Sequence, residues 1–147
     1  QRERLPLVMV MLDLDHFKRI NDNYGHQAGD EVLVNLARFL RERLRRSDLI
    51  GRYGGEEFAL VLPGMTVDQA YRLIEAIRGD FELLDQQSPR GRFRQTFSAG
   101  LCGAEGVTDV VALVQRADAM LYRAKELGRN LVVAWSAEAG AHLPPQL

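Results

Sequence analysis

The chain has 147 residues, 46% of them hydrophobic, and a formal net charge of −1 at pH 7. That is one ordinary globular domain with material for a sizeable core, and it lacks the basic field that gathers nucleic acid. The single Cys102 excludes an internal disulfide and a thiolate metal cage and fits a reducing compartment, while no apolar run approaches a membrane span.

The first element is a strand over Leu5 to Asp15. Val8, Val10, Leu12 and Leu14 fall on one face and Met9, Met11, Asp13 and Asp15 on the other. With both faces apolar until the end, the strand is central and delivers two acids at its carboxyl edge. Asp15 has an alternative use as the cap of a short helix starting near His16-Phe17, whereas Asp13 has no cap to make. From Phe17 to Asp30 hydrophobes are few, and Lys18, Asn21, Asp22, His26 and Asp30 are punctuated by Gly25 and Gly29. This stretch reads as a loop built to hold something. An Asn with a nearby Asp offers donor and acceptor to a purine edge, though turn residues satisfying their own backbone are the commoner cause of such polarity.

A helix over Asp30 to Arg46 follows from Leu33, Leu36, Ala37, Leu40 and Leu44, with arginines in its last turns where the helix dipole favours them. Leu49 to Tyr53 and Phe58 to Leu62 form a hairpin whose tip is Gly54-Gly55-Glu56-Glu57. Two glycines permit a tight turn through positive φ. Adjacent carboxylates gain nothing in a plain turn, and at a glycine-stripped tip they suit a place where a metal and a phosphate come close to the backbone. Thr66 with Gln69 makes a capping box for a second long helix through Leu84. Gln86 to Arg92 is a loop, and Phe93 to Cys102 alternates as a strand. A third helix starts at Thr108-Asp109, is ended by Gly128, and is followed by a closing strand over Asn130 to Trp135.

The order strand, helix, strand, strand, helix, strand, helix, strand predicts an α+β fold, ferredoxin-like or palm-like, with a central antiparallel sheet flanked by helices. Such a fold sets the end of the first strand beside the hairpin, so Asp13 is expected to meet Glu56 and Glu57. Carboxylates converging there repel one another unless divalent cations neutralise them, and oxygen-only ligands favour Mg²⁺ or Mn²⁺.

Several motifs in register resemble the GGDEF domains, diguanylate cyclases that join two GTP into cyclic di-GMP. They are Asp13-Leu14-Asp15-His16-Phe17-Lys18, Asn21-Asp22 with Gly25-His26 and Gly29-Asp30, Arg52-Tyr53-Gly54-Gly55-Glu56-Glu57-Phe58, and Arg116-Ala117-Asp118 through Tyr122, Lys125 and Gly128-Arg129-Asn130. The match runs from about Leu12 to Asn130, in the Gly-Gly-Glu-Glu-Phe form of the signature. The resemblance implies a GGDEF domain over 1–136 that starts after the family's N-terminal helix. The composition of 137–147, with Pro144-Pro145, reads as a loosely ordered tail, and the polar start Gln1-Arg2-Glu3-Arg4 without an initiator Met is expected of a chain excised from a longer protein.

By the same resemblance, Asp13, Glu56 and the Leu14 carbonyl are metal ligands for two Mg²⁺ or Mn²⁺ ions. Glu57 binds metal or activates the 3′-hydroxyl, and Glu56, Glu57 and Lys18 form the catalytic set. Asn21 and Asp30 read guanine, with His16, Phe17, Gly54 and Gly55 lining the substrate. Lys18, Lys125 and Arg129 are phosphate cations, and Arg45 with Asp48 is a product-inhibition site. The implied partners are GTP, cyclic di-GMP as product and inhibitor, and a second copy of the domain in a catalytic homodimer. No nucleic acid or membrane contact is expected, and the location is cytoplasmic, compatible with a membrane-anchored parent. The main rival is a catalytically silent receptor for GTP or cyclic di-GMP, which would have no use for intact Asp13, Glu56 and Glu57. A polymerase-like palm lacks a basic groove and stacking aromatics, and a cyclase of relaxed base choice is disfavoured by Asp30.

Overall fold

The structure is a computed structural model that describes residues 6–136 and 140–142. Its elements in chain order are β1 (Leu7–Leu14), α1 (Phe17–Tyr24), α2 (His26–Arg43), β2 (Leu49–Arg52), β3 (Glu57–Pro63), α3 (Val67–Glu82), β4 (Phe97–Gly103), α4 (Val110–Glu126), β5 (Val132–Ser136) and β6 (Gly140–His142). They build one sheet in the order β2-β3-β1-β4-β5-β6. β1 is antiparallel to both β3 and β4, and only β4 and β5 run parallel, joined by α4 as a crossover. The α+β palm-like arrangement expected from the element order is the one found.

The alternation along β1 sorts the core into two layers. Val8, Val10, Leu12 and Leu14 pack with Val32, Leu36 and Leu40 of α2 and Ile74, Ile77 and Phe81 of α3. Met9 and Met11 face the other way, onto Leu113, Ala117 and Leu121 of α4. Asp13 has the parity of Met9 and Met11, so the strand's period hands its carboxylate to the α4 side.

Three local expectations change. The polar stretch from Phe17 to Asp30 is two helices hinged at Gly25, whose φ of 94° breaks the path between them. Phe17, Ile20 and Tyr24 recur at helical spacing, but with no fully buried residue α1 carries little hydrophobic signal. Strand β4 begins only at Phe97, the residues before it contributing an isolated bridge of Phe93 with Gln86. The Thr66–Gln69 capping box is present with both of its hydrogen bonds. Of the tail over 137–147, Gly140–His142 pairs antiparallel with the open edge of β5, and the remainder lies outside the described residues, as do 1–5.

Cys102 lies in the layer under α4 with no exposed surface, and burial pushes its thiol up to about 11. Iodoacetamide is therefore expected to modify it only after denaturant is added. Rapid alkylation in native buffer would show that α4 does not seal this layer.

Candidate functional site

Where β1 ends, its register sets Asp13 opposite Glu57 of β3 on one side and Ser98 of β4 on the other. The Leu14 amide donates to the Glu56 carbonyl at 3.3 Å, fastening the hairpin tip to the strand end. Asp13 is 8% exposed, and its Oδ2 accepts from Lys125 Nζ at 2.5 Å. Its Oδ1 is buried with no hydrogen-bond partner. Burial holds the Asp13 carboxyl above its ordinary value even though the Lys125 bond and charge pull it down. Glu56 is raised by burial and then by the Asp13 charge; Glu57 is raised by burial, then by Asp118 and Asp13. Four acids thus share one edge with one ammonium in direct contact.

The acids share this edge without closing round a point. Among the described residues no three His, Cys, Asp or Glu side chains stand close enough to hold a metal ion as they lie. Like charges in a partly dry place splay apart, and Lys125 is the local counter-charge. The donor chemistry nevertheless suits a hard divalent cation, because the set is all oxygen and Asp13 Oδ1 is a buried acceptor lacking a donor.

At the hairpin tip, Tyr53 N–H donates to the Glu57 carbonyl at 2.8 Å, and the Arg52 guanidinium grips the Gly55 carbonyl from Nε at 3.1 Å. Neither Gly54 nor Gly55 has a positive φ, so the turn does not need glycine for its conformation. A Cβ on Gly55 would meet open space, while one on Gly54 would sit 3.7 Å from Glu57 Oε1. What the pair provides is an uncovered backbone beside the carboxylates.

The segment after Asp15 carries the expected base-reading residues. His16 stands in the left-handed region with φ 52° and starts α1 without a side-chain cap; Lys18 is exposed, and Phe17 packs against the core. Asn21 of α1 lies against Gly29 of α2 so closely that a Cβ on Gly29 would overlap Asn21 Oδ1, with Phe17 Cζ only 3.1 Å away. That cradle leaves Asn21 Oδ1 buried without a partner. Asp30 is the next residue along and is exposed. It borders a groove lined by Leu33, Arg52 and Phe58.

From the other face, α4 presents Asp118, Tyr122 and Lys125 on one side, spaced at four and three residues. Asp118 was not among the expected site residues, and its placement one helical face from Lys125 is the signal that points to it. Past the helix end, Gly128, Arg129 and Asn130 have φ of 125°, 66° and 54°. The Arg129 charge reaches Asp13 and lowers its pKa. Asp15, 5% exposed, is no helix cap: it accepts from Thr96 Oγ1 at 2.7 Å, Ser98 Oγ at 2.6 Å and the Asn130 amide at 3.0 Å.

Arg45 and Asp48 sit in the turn between α2 and β2 rather than on either element. The Asp48 side chain is fully buried and accepts from Arg45 three times: from its amide at 2.8 Å, Nε at 3.2 Å and an Nη at 2.7 Å. The same guanidinium reaches the Pro63 carbonyl at 2.6 Å, and 46% of the Arg45 side chain remains exposed.

An α+β sheet of this order, with acids where the central strand meets the following hairpin, is the palm-like fold of nucleotide cyclases. The chain belongs to the family described as "Diguanylate cyclase, GGDEF domain", which matches residues 1–131. It is 44% identical over 124 residues to the diguanylate cyclase DgcP of Pseudomonas aeruginosa, covering 84% of this chain and 18% of that protein. It is 46% identical over 126 residues to DgcM of Escherichia coli K12, covering 86% of this chain and 30% of that protein. The chain therefore spans less than a third of either relative. Among solved structures, the active GGEEF domain of a diguanylate cyclase from Vibrio cholerae superposes with a TM-score of 0.83 at 36% identity, over 88% of this chain and 83% of that one. The GGDEF domain of DgcB from Caulobacter crescentus, in complex with c-di-GMP, gives 0.84 at 32% identity, over 88% and 76%. Among the described residues no helix is long and apolar enough to cross a membrane.

Proposed function

We propose that this domain condenses two GTP into cyclic di-GMP and two pyrophosphates. The observation that carries this reading is the meeting of Asp13, Glu56, Glu57 and Lys125 at one sheet edge, with a buried Asp13 oxygen that no protein donor satisfies. In each half-reaction the 3′-oxygen of one GTP bonds to the α-phosphorus of the other. The bond from that phosphorus to the β-phosphate bridge breaks, pyrophosphate takes the electron pair, and the 3′-hydroxyl proton is released. Two Mg²⁺ or Mn²⁺ ions, held by Asp13, Glu56, Glu57 and the Leu14 carbonyl, would supply charge neutralisation at the attacking and leaving oxygens.

The chain's own groups bind and orient. Gly54 and Gly55 leave backbone free for a phosphate to approach, and Lys18, Lys125 and Arg129 supply positive charge around it. A Glu57 carboxylate oxygen accepts the 3′-hydroxyl proton. Asn21, and Asp30 on the next helix, read the guanine edge, the exposed Asp30 carboxylate accepting from its N–H groups, with His16 and Phe17 flanking the base-side entrance. One such site holds one GTP, whereas the product has two equivalent linkages, so a two-fold pair of domains is the catalytic unit. Product inhibition is assigned to Arg45 and Asp48. Because Asp48 is saturated by Arg45, the exposed edge of the guanidinium is the part that meets a guanine or phosphate of cyclic di-GMP.

Calorimetry with GTP and ATP tests the base assignment. GTP is expected to bind the unmutated protein more tightly, and Asp30→Ser should lose about 1–3 kcal/mol of that preference, the cost of an unpaired buried hydrogen-bonding group. Equal affinities for the two nucleotides in the unmutated protein would remove Asn21 and Asp30 from the base site.

A further inference from the structure

Arg129 and Asn130 are consecutive non-glycine residues in the left-handed region, following Gly128 at φ 125°. Such a conformation is strained for a residue with a Cβ and persists only where its surroundings over-determine it. The surroundings here are unusually complete. The Arg129 amide donates to the Ala124 carbonyl at 3.0 Å, ending α4. The Asn130 amide is shared between Asp15 Oδ2 at 3.0 Å and Ser98 Oγ at 3.1 Å. The Asn130 side chain accepts from Arg78 Nη1 at 2.6 Å and donates to Glu82 Oε2 at 3.1 Å, so α3 braces it from outside. Asp15 itself is filled by Thr96 Oγ1, Ser98 Oγ and that amide, while the Gln95 side-chain amide donates to its carbonyl at 2.6 Å.

The buried carboxylate therefore joins the end of β1, the start of β4 and the turn after α4, and it leaves the exposed Arg129 on the Asp13 side. A carboxylate is suited to this, since it accepts from a backbone amide and two hydroxyls at once and offers no donor to compete. We propose that Asp15 is a positioning residue: through the Asn130 amide it sets the left-handed turn that aims Arg129 at the phosphates of bound nucleotide. The proposal rests on the assignment of Arg129 as a phosphate cation. It also stands on its own as a statement about the turn.

The test uses Asp15→Ala, Asp15→Ser, Asp15→Asn and Arg129→Ala in the full chain, with circular dichroism as the folding check. GTP affinity is expected to fall about tenfold in Asp15→Ala, while the affinity for guanosine, which has no phosphate, is unchanged. Asp15→Asn keeps an oxygen for the Asn130 amide and is expected to restore GTP affinity to within about threefold of the unmutated value. In an Arg129→Ala background, Asp15→Ala should weaken GTP binding no further. Should Asp15→Ala fail to fold, Asp15→Ser, whose hydroxyl is too short to reach the Asn130 amide, is expected to show the same loss for GTP, not guanosine, and the same non-additivity. Equal losses for GTP and guanosine, or additive losses in the double variant, would overturn the proposal and leave Asp15 a fold determinant. Amide hydrogen exchange separates this from failure of the assigned function. With no nucleotide present, the Arg129 and Asn130 amides should exchange faster in Asp15→Ala, or in Asp15→Ser, while mid-β4 amides do not. Unchanged exchange would overturn the proposal even if GTP binds, and faster exchange in a protein that binds no GTP would sustain the turn while refuting the phosphate role.

Discussion

Glu56→Gln is expected to remove cyclic di-GMP formation almost entirely while leaving the fold intact. The substitution keeps the side chain's size, exchanges one acceptor oxygen for an NH₂ donor, and deletes one negative charge from an edge shared with Asp13 and Glu57. That change relieves repulsion in the free protein, so melting temperature should hold or rise slightly. Catalysis should go the other way, because on the proposed function charge neutralisation at the reacting oxygens would depend on cations held by these carboxylates. Loss of one preorganised electrostatic group costs about 10²–10³ in rate, and loss of a metal ligand should cost at least that. A Glu56→Gln protein turning over GTP within about tenfold of the unmutated rate would take Glu56 out of the machinery.

Gly100→Ala is expected to give a large loss of stability for the addition of a single methyl group. A Cβ on Gly100 of β4 would stand 2.0 Å from Leu121 N and 2.4 Å from Ala117 O, both backbone atoms of α4. No rotamer change relieves a clash with backbone, so the helix has to lift from the sheet. Overpacking of this kind typically costs about 1–3 kcal/mol, and a clash with rigid main chain belongs at or above the top of that range. Because α4 carries Asp118 and Lys125, the lifted helix also withdraws the ammonium from Asp13, and activity should fall with stability. Gly51→Ala is the matched control, its added Cβ meeting nothing within 4 Å. Urea midpoints measure both. A Gly100→Ala protein within about 1 kcal/mol of the unmutated one would mean that α4 does not seat as closely as described.

β1, β3 and β4 are legible in the sequence because they alternate or run apolar over 8, 7 and 7 residues, and α2, α3 and α4 because their stripes are long. α1 is not, since eight residues with three spaced hydrophobes and no buried one carry too little pattern to outweigh a polar composition. Asp13 and the hairpin acids were placed correctly relative to each other because register follows from strand order. Asp15 was read as a possible cap because sequence shows only its neighbours along the chain, whereas its partners Thr96, Ser98 and Asn130 arrive from β4 and the turn after α4. Two adjacent glycines in the sequence predict a turn through positive φ, whereas neither Gly54 nor Gly55 adopts one and what the pair leaves is uncovered backbone. Asp118 was overlooked because one acid on an exposed helical face is ordinary until the sheet edge opposite it is known to hold Glu57.

On the proposed function, the acid edge turns GTP into a cyclic dinucleotide. Incubating the chain with GTP and Mg²⁺ at a concentration high enough to pair domains, and separating the nucleotides by anion-exchange chromatography, tests it most directly. Cyclic di-GMP should accumulate with two pyrophosphates released per molecule formed, and the Glu56→Gln chain should form none under the same conditions. Recovery of unchanged GTP from the unmutated chain when it is paired in solution, with GTP bound and Mg²⁺ present, would contradict the account.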